Sequence, residues 1–140
     1  MRLPGLVGAL AVVVLLSGTG CASAAPEMQT EGPSTMVTTP SLPPDGVYLA
    51  SFGFTNAPPG FSVPASVKPL HGYNIPELID VIYDGADGAI VHDYLLAHLG
   101  AMGYTITSSS ADSIVWENDQ WQGAFTMTSQ RAGFTLRRQS

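Results

Sequence analysis

Three histidines, His71, His92 and His98, are the side chains through which this chain could bind a metal or move a proton near neutral pH. His92 and His98 stand six residues apart, which on a helix separates them by about 120° in projection. A helical zinc pair needs a spacing of four, and His71 has no sequence neighbour to serve as a second ligand. On the predicted helix, His98 belongs to the edge of the buried stripe and His92 to the solvent side. Asp84-Gly85-Ala86-Asp87-Gly88 has the hard oxygens and glycine turns of a calcium loop. The twelfth position counted from Asp84 is Leu95 rather than a glutamate, and a strand-to-helix turn with Asp87 as N-cap explains the same residues. The serines at 108, 109, 110 and 113 lack a Gly-x-Ser-x-Gly frame and read as a turn cluster. Asp80 and Glu117 are one conceivable carboxylate pair for glycoside chemistry, meaningful only at the right separation. The residues therefore specify no catalytic set, no metal site and no cofactor.

Trp116 and Trp121 are the binding candidates. They flank Asn118-Asp119-Gln120, and an indole left exposed beside that turn would stack on a sugar or a peptide. The structural alternative is a pair of indoles packed across a hairpin.

The only cysteine, Cys21, cannot form an internal disulfide. It follows Arg2, an apolar run from Leu6 to Leu16, and Ser17-Gly18-Thr19-Gly20, the pattern of a secretory signal. The run has 11 residues, well below the roughly 20 that span a bilayer as a helix. Leu-Ser-Gly-Thr-Gly-Cys resembles the processing site of bacterial lipoproteins. That resemblance implies a diacylglycerol on the Cys21 thiol, cleavage just before it, and a domain held at the outer face of the cell membrane, since two acyl chains anchor stably. The match departs at Gly18, where an aliphatic residue is usual. Ala22-Ser23-Ala24 is an ordinary small-x-small site, and cleavage after Ala24 would instead release a secreted protein without Cys21.

Residues 22–45 contain prolines at 26, 33, 40, 43 and 44 and no periodic apolar pattern, so they read as a semi-extended linker between the signal (1–21) and a single domain (46–140). Once Arg2 is removed, four basic side chains remain against 11 acidic ones, a net charge of −7. Nucleic-acid affinity rests on phosphate neutralisation by Lys and Arg, so that partner is excluded. Arg131, Arg137 and Arg138 leave a small basic end on the acidic body.

The elements that must position these groups follow from periodicity. Ile90, Val91, Tyr94, Leu95, His98, Leu99 and Met102 recur at helical spacing between Asp87 and Gly103, which predicts a helix over 88–102. Residues 77–84 alternate as a strand, with Ile79, Val81 and Tyr83 on one side, and 66–74 is its expected neighbour. Strands are predicted over 104–108, 113–117, 121–128 and 133–139, and one edge strand or packed extension over 47–54. The expected class is α+β, one helix packed on an antiparallel sheet of about five to six short strands. This strand, helix and meander pattern over residues 58–139 resembles a domain of small bacterial envelope lipoproteins. The functional expectation is a membrane-tethered, non-enzymatic envelope lipoprotein that binds a protein, a glycan or a small amphiphile. The alternative is a small secreted hydrolase acting on envelope material with an Asp or Glu and a His.

Overall fold

The structure, a computed structural model, describes residues 40–140. The signal, Cys21 and the linker up to residue 39 lie outside the described residues. The described chain opens with β1 (Gly46–Tyr48), a 3-10 turn over Leu49–Phe52 and β2 (Ser62–Pro64). Next come β3 (His71–Ile75), β4 (Leu78–Asp84) and the helix α1 (Gly88–His98), then β5 (Thr105–Ser109), β6 (Ser113–Glu117), β7 (Trp121–Met127) and β8 (Arg131–Arg138).

β1 and β2 pair as a small antiparallel sheet, and the other six strands form one sheet in the order β3-β4-β8-β7-β6-β5, with every pair antiparallel. The expected α+β class is therefore corrected: among the described residues the domain is mostly β, with eight strands in two sheets and one helix of 11 residues. Two local effects shift the balance. Residues 46–64 supply a second sheet, because Gly53, at φ 95°, turns the chain out of the 3-10 turn and β2 returns alongside β1. The helix also ends at His98, because Met102 N–H is shared between the His98 and Leu99 carbonyls and Gly103, at φ 94°, completes the turn.

The meander closes on the first hairpin through its last strand. β8 lies between β4 and β7, opposing Leu136 to Ile79 and Phe134 to Val81 on one side and Phe125 to Phe134 on the other. Because side chains alternate between faces, these registers put Ile79, Val81, Tyr83, Ile114, Trp116, Phe125, Phe134 and Leu136 on one buried face. Phe61, from the connection preceding β2, bridges the layers. Its ring centroid lies 5.5 Å from Phe134, 6.3 Å from Trp116 and 5.7 Å from Tyr104. Burying each such ring contributes about 1.5–3 kcal/mol by transfer from water.

α1 sits on this apolar face with Gly88 turned toward it. A Cβ at Gly88 would meet the Met127 sulfur at 2.9 Å and the Ala132 Cβ at 3.1 Å. The buried stripe is accordingly centred on Gly88 and runs through Val91, His92, Leu95 and Leu99. This corrects the expected helix face: His92 is turned inward, and Ile90, half a turn from Gly88, is 46% exposed. The expected N-cap is corrected too. Asp87 makes no side-chain cap bond, whereas Asp84 Oδ1 accepts from Ala86 N–H at 2.9 Å and caps the short 3-10 turn before α1.

The folded body also takes in the end of the expected linker. Gly46 N–H donates to the Pro43 carbonyl, and Ala65 N–H to the Asp45 carbonyl.

Candidate functional site

The two faces of the large sheet differ in what covers them. One carries α1 and the β1–β2 layer. The other takes the opposite parity of every strand, and its side chains form cross-strand rows. Tyr73, Asp80, Thr135, Ala124 and Val115 make one row, and His71, Ile82, Gly133 and Thr126 make the next. Tyr73 is 69% exposed and Ile75 50%, and Val115 is also exposed. A groove of about 490 Å³ runs over this face, with His71, Asp80, Ile82, Thr126, Arg131 and Thr135 on its sides and Ala124 and Gly133 in its floor.

The polar groups of the groove have free valences. Thr135 Oγ1 donates to Asp80 Oδ1 at 2.9 Å, which orients the carboxylate and leaves its second oxygen unused by that bond. Among the described residues, the side-chain ion pairs within 4.0 Å involve only His92 with Asp93 and His98 with Asp45, so Arg131 and His71 carry none. The groove thus offers a carboxylate, a guanidinium, an imidazole and threonine hydroxyls around a floor of small side chains.

A second groove, of about 630 Å³, lies between α1 and the start of the domain and is lined by Asp45, Pro64, Ile90, Asp93, Tyr94 and His98 among others. Its polar groups already engage one another: Tyr94 Oη lies 2.8 Å from Ser62 Oγ, and His98 Nε2 lies 3.6 Å from Asp45 Oδ1. Burial raises the Tyr94 hydroxyl pKa, the Ser62 bond opposes that shift, and the Asp45 charge adds to it. These contacts tie α1 to β2 and to the incoming chain, a structural task.

The residues singled out by type are dispersed. His71 faces the open groove, His92 lies under the sheet with its ring 5.8 Å from Phe125, and His98 stands beside Tyr94. His92 Nε2–H donates to the Ser110 carbonyl at 2.8 Å, and its Nδ1 is 3.3 Å from Asp93 Oδ1. Among the described residues no three His, Cys, Asp or Glu side chains gather as a metal-ligand set. Asp80 and Glu117 share the open face. Glu117 opposes Gln122, which opposes Arg137 and then Leu78, so three strand spacings, about 14 Å, separate it from β4. That exceeds the roughly 5–9.5 Å between the carboxylates of glycosidases. Ser110 Oγ lies 2.8 Å from Ser113 Oγ and donates to Asp112 Oδ1, which builds the β5–β6 turn.

Both tryptophans are in the core. Trp116 is fully buried and Trp121 is 5% exposed, with the Arg138 guanidinium 5.7 Å from the Trp121 ring centre. The exposed aromatic ring beside polar groups is Tyr73, opposite Asp80 across β3 and β4. Strand parity carries the signal for it: with Ile79, Val81 and Tyr83 inward, the odd-numbered residues of β3, Tyr73 among them, point outward.

Among the described residues, fold and site together define a β-rich, one-helix domain with one uncovered sheet face that carries a mixed-charge groove. Comparison with protein-family models, with curated proteins and with solved structures finds no match to this chain.

Proposed function

We propose that this protein is a binding module of the bacterial cell envelope, tethered to the outer face of the membrane through a diacylated Cys21, and that the open face of the six-stranded sheet is its binding surface. The observation that carries the second half is the exposure of Tyr73 and Ile75 beside the groove containing Asp80, His71 and Arg131. Apolar surface grouped among polar side chains is the usual make-up of a recognition patch. The tether rests on the signal-like start, the cysteine that ends it and the proline-rich chain that follows. A carrier of a small amphiphile is disfavoured, because the space between helix and sheet is filled by Phe61, Trp116, Phe125, Phe134 and Tyr83.

Two measurements test the proposal. Intact mass and detergent partitioning of the mature protein, beside Cys21→Ala, should show a diacylated chain in the detergent phase that the variant loses; an unmodified chain starting at Ala25 would overturn the tether. A photo-crosslinking residue at Tyr73, compared with one at Ile90 on the helix, should capture partners in intact cells preferentially from position 73. Equal capture from both positions would overturn the choice of face.

One observation favours a second reading, a small hydrolase of envelope material: His71 and Asp80 line the same groove. Turnover of an envelope substrate that disappears in both His71→Ala and Asp80→Asn would establish it in place of the binding module.

A further inference from the structure

Resting on the open face as the binding surface, the structure assigns its groove a ligand class: we propose that it binds a short, extended, zwitterionic peptide, with the peptide ammonium on Asp80 and its terminal carboxylate on Arg131. Three features of the groove lead there.

The first is the placement of charge. Asp80 and Arg131 both line the groove, and neither is neutralised by an ion pair within 4.0 Å among the described residues. Asp80 is held by the Thr135 hydroxyl, and its second oxygen can accept from an ammonium. Arg131 offers a planar fork of donors suited to a carboxylate. Asp84, the register partner of Arg131, accepts from the Ala86 amide through Oδ1 and makes no ion pair with the guanidinium within 4.0 Å. A ligand with one charge of each sign complements this pair, whereas an anion or a cation alone would meet like charge at one end.

The second is the spacing. Asp80 opposes Thr135, and Arg131 lies four residues before Thr135 on β8. At about 3.4 Å per residue and 4.8 Å between strands, the two α-carbons are about 14 Å apart. An extended peptide advances about 3.3 Å per residue, so three to four residues reach from one side chain to the other.

The third is the floor. Between the two charges lie Gly133 and Ile82, with Ala124 and Thr126 along one side and His71 on the other. This admits a main chain close to the sheet and leaves room for small side chains, while the Thr126 hydroxyl can serve a peptide amide group.

The test is an amide chemical-shift titration of the purified mature chain with tetra-alanine, beside its N-acetylated and C-amidated forms. Tetra-alanine should shift Ala124, Thr126, Gly133 and Thr135. Capping either end should weaken binding about tenfold or more. Asp80→Asn should become indifferent to the N-terminal cap while remaining sensitive to the C-terminal one, and Arg131→Gln the reverse. Because the caps are applied to the unaltered protein, the outcome does not depend on the variants folding. Shifts that ignore both caps, or no shifts at millimolar peptide, would overturn the assignment. Chitotetraose moving the same amides in place of tetra-alanine would overturn the peptide but leave the face as a binding surface. Amides that move with protein concentration alone would replace the peptide with a second copy of the chain, and amides that move with nothing would remove both the peptide and the face.

Discussion

The Trp116 indole occupies the space where Gly123, its directly opposed partner on β7, would carry a side chain. A Cβ built on Gly123 would overlap the six-membered ring and Nε1 of Trp116. Glycine in a strand normally weakens it, yet here it makes the recess into which the largest core residue fits. Gly123→Ala should therefore destabilise the domain by about 2–3 kcal/mol, an overpacking cost. Gly100→Ala, where none of the described residues lies within 4 Å of the added methyl, should be neutral or slightly stabilising. Urea unfolding of the two variants checks the contrast, and equal midpoints would refute the account of Gly123.

Among the described residues, the buried Tyr83 hydroxyl has no hydrogen-bond partner. Tyr83→Phe removes that unsatisfied group and should stabilise the protein by about 1 kcal/mol at neutral pH, read as a raised unfolding midpoint. A loss of stability would show that the hydroxyl finds a partner.

Burial raises the Tyr83 pKa, and burial likewise raises that of Tyr104 against an opposing Asn118 hydrogen bond. The unfolded chain releases both protons near pH 10 and the folded chain holds them beyond it. Above that point the native state binds more protons than the unfolded state, so stability falls as pH rises. It is intact below about pH 10 and declines above it by about 1.4 kcal/mol per pH unit for each tyrosine. Denaturant midpoints from about pH 9 to pH 11 should trace this decline, and Tyr83→Phe should make its slope shallower.

His92 ties α1 to the β5–β6 turn through the Ser110 carbonyl while its ring packs near Phe125. His92→Phe keeps a ring and loses the bond, with an expected cost of about 1 kcal/mol. His92→Ala also leaves a cavity and should cost about 3 kcal/mol. Thermal unfolding of the two separates the bond from the packing; equal losses would assign the whole effect to the bond.

Asn74 fastens the loop over 53–56 to the outer strand of the sheet. Its Oδ1 accepts from Asn56 N–H at 2.9 Å, and its Nδ2 donates to the Gly53 carbonyl at 3.1 Å and to Thr55 Oγ1 at 3.2 Å, while Asn56 Nδ2 donates to the Asn74 carbonyl. Covering a sheet edge in this way suppresses pairing with other chains. Asn74→Ala should speed amide exchange at Asn56 and increase aggregation on concentration, with core amides of β7 and β8 unchanged.

Much of the strand pattern was readable from residue order because it depends on local alternation and turn chemistry. β6 occupies the span that alternation predicts, and β7 and β8 lie within two residues of theirs. Asn118 shows why the turn between β6 and β7 was legible: its Oδ1 accepts from the amides of Gln120 and Trp121, a bond a side chain makes with its own neighbourhood. The second sheet was not legible, because Ser62 meets Tyr48 only after the chain has folded over 14 residues, and short strands with prolines carry little periodic signal. The mostly-β class followed from that pairing.

The candidate site divides in the same way. The sequence alone supplied the residue types and the alternation that gives each strand two faces, because these are properties of neighbours along the chain. Only the tertiary structure decided which face was covered. Gly88 lets the helix approach the sheet on its own side, which draws His92 inward and turns Ile90 out. The same packing fills that face with Trp116 and Trp121. It leaves Tyr73, Asp80 and Arg131, far apart in sequence, on one open surface, because β8 pairs with β4 and brings the ends of the domain together.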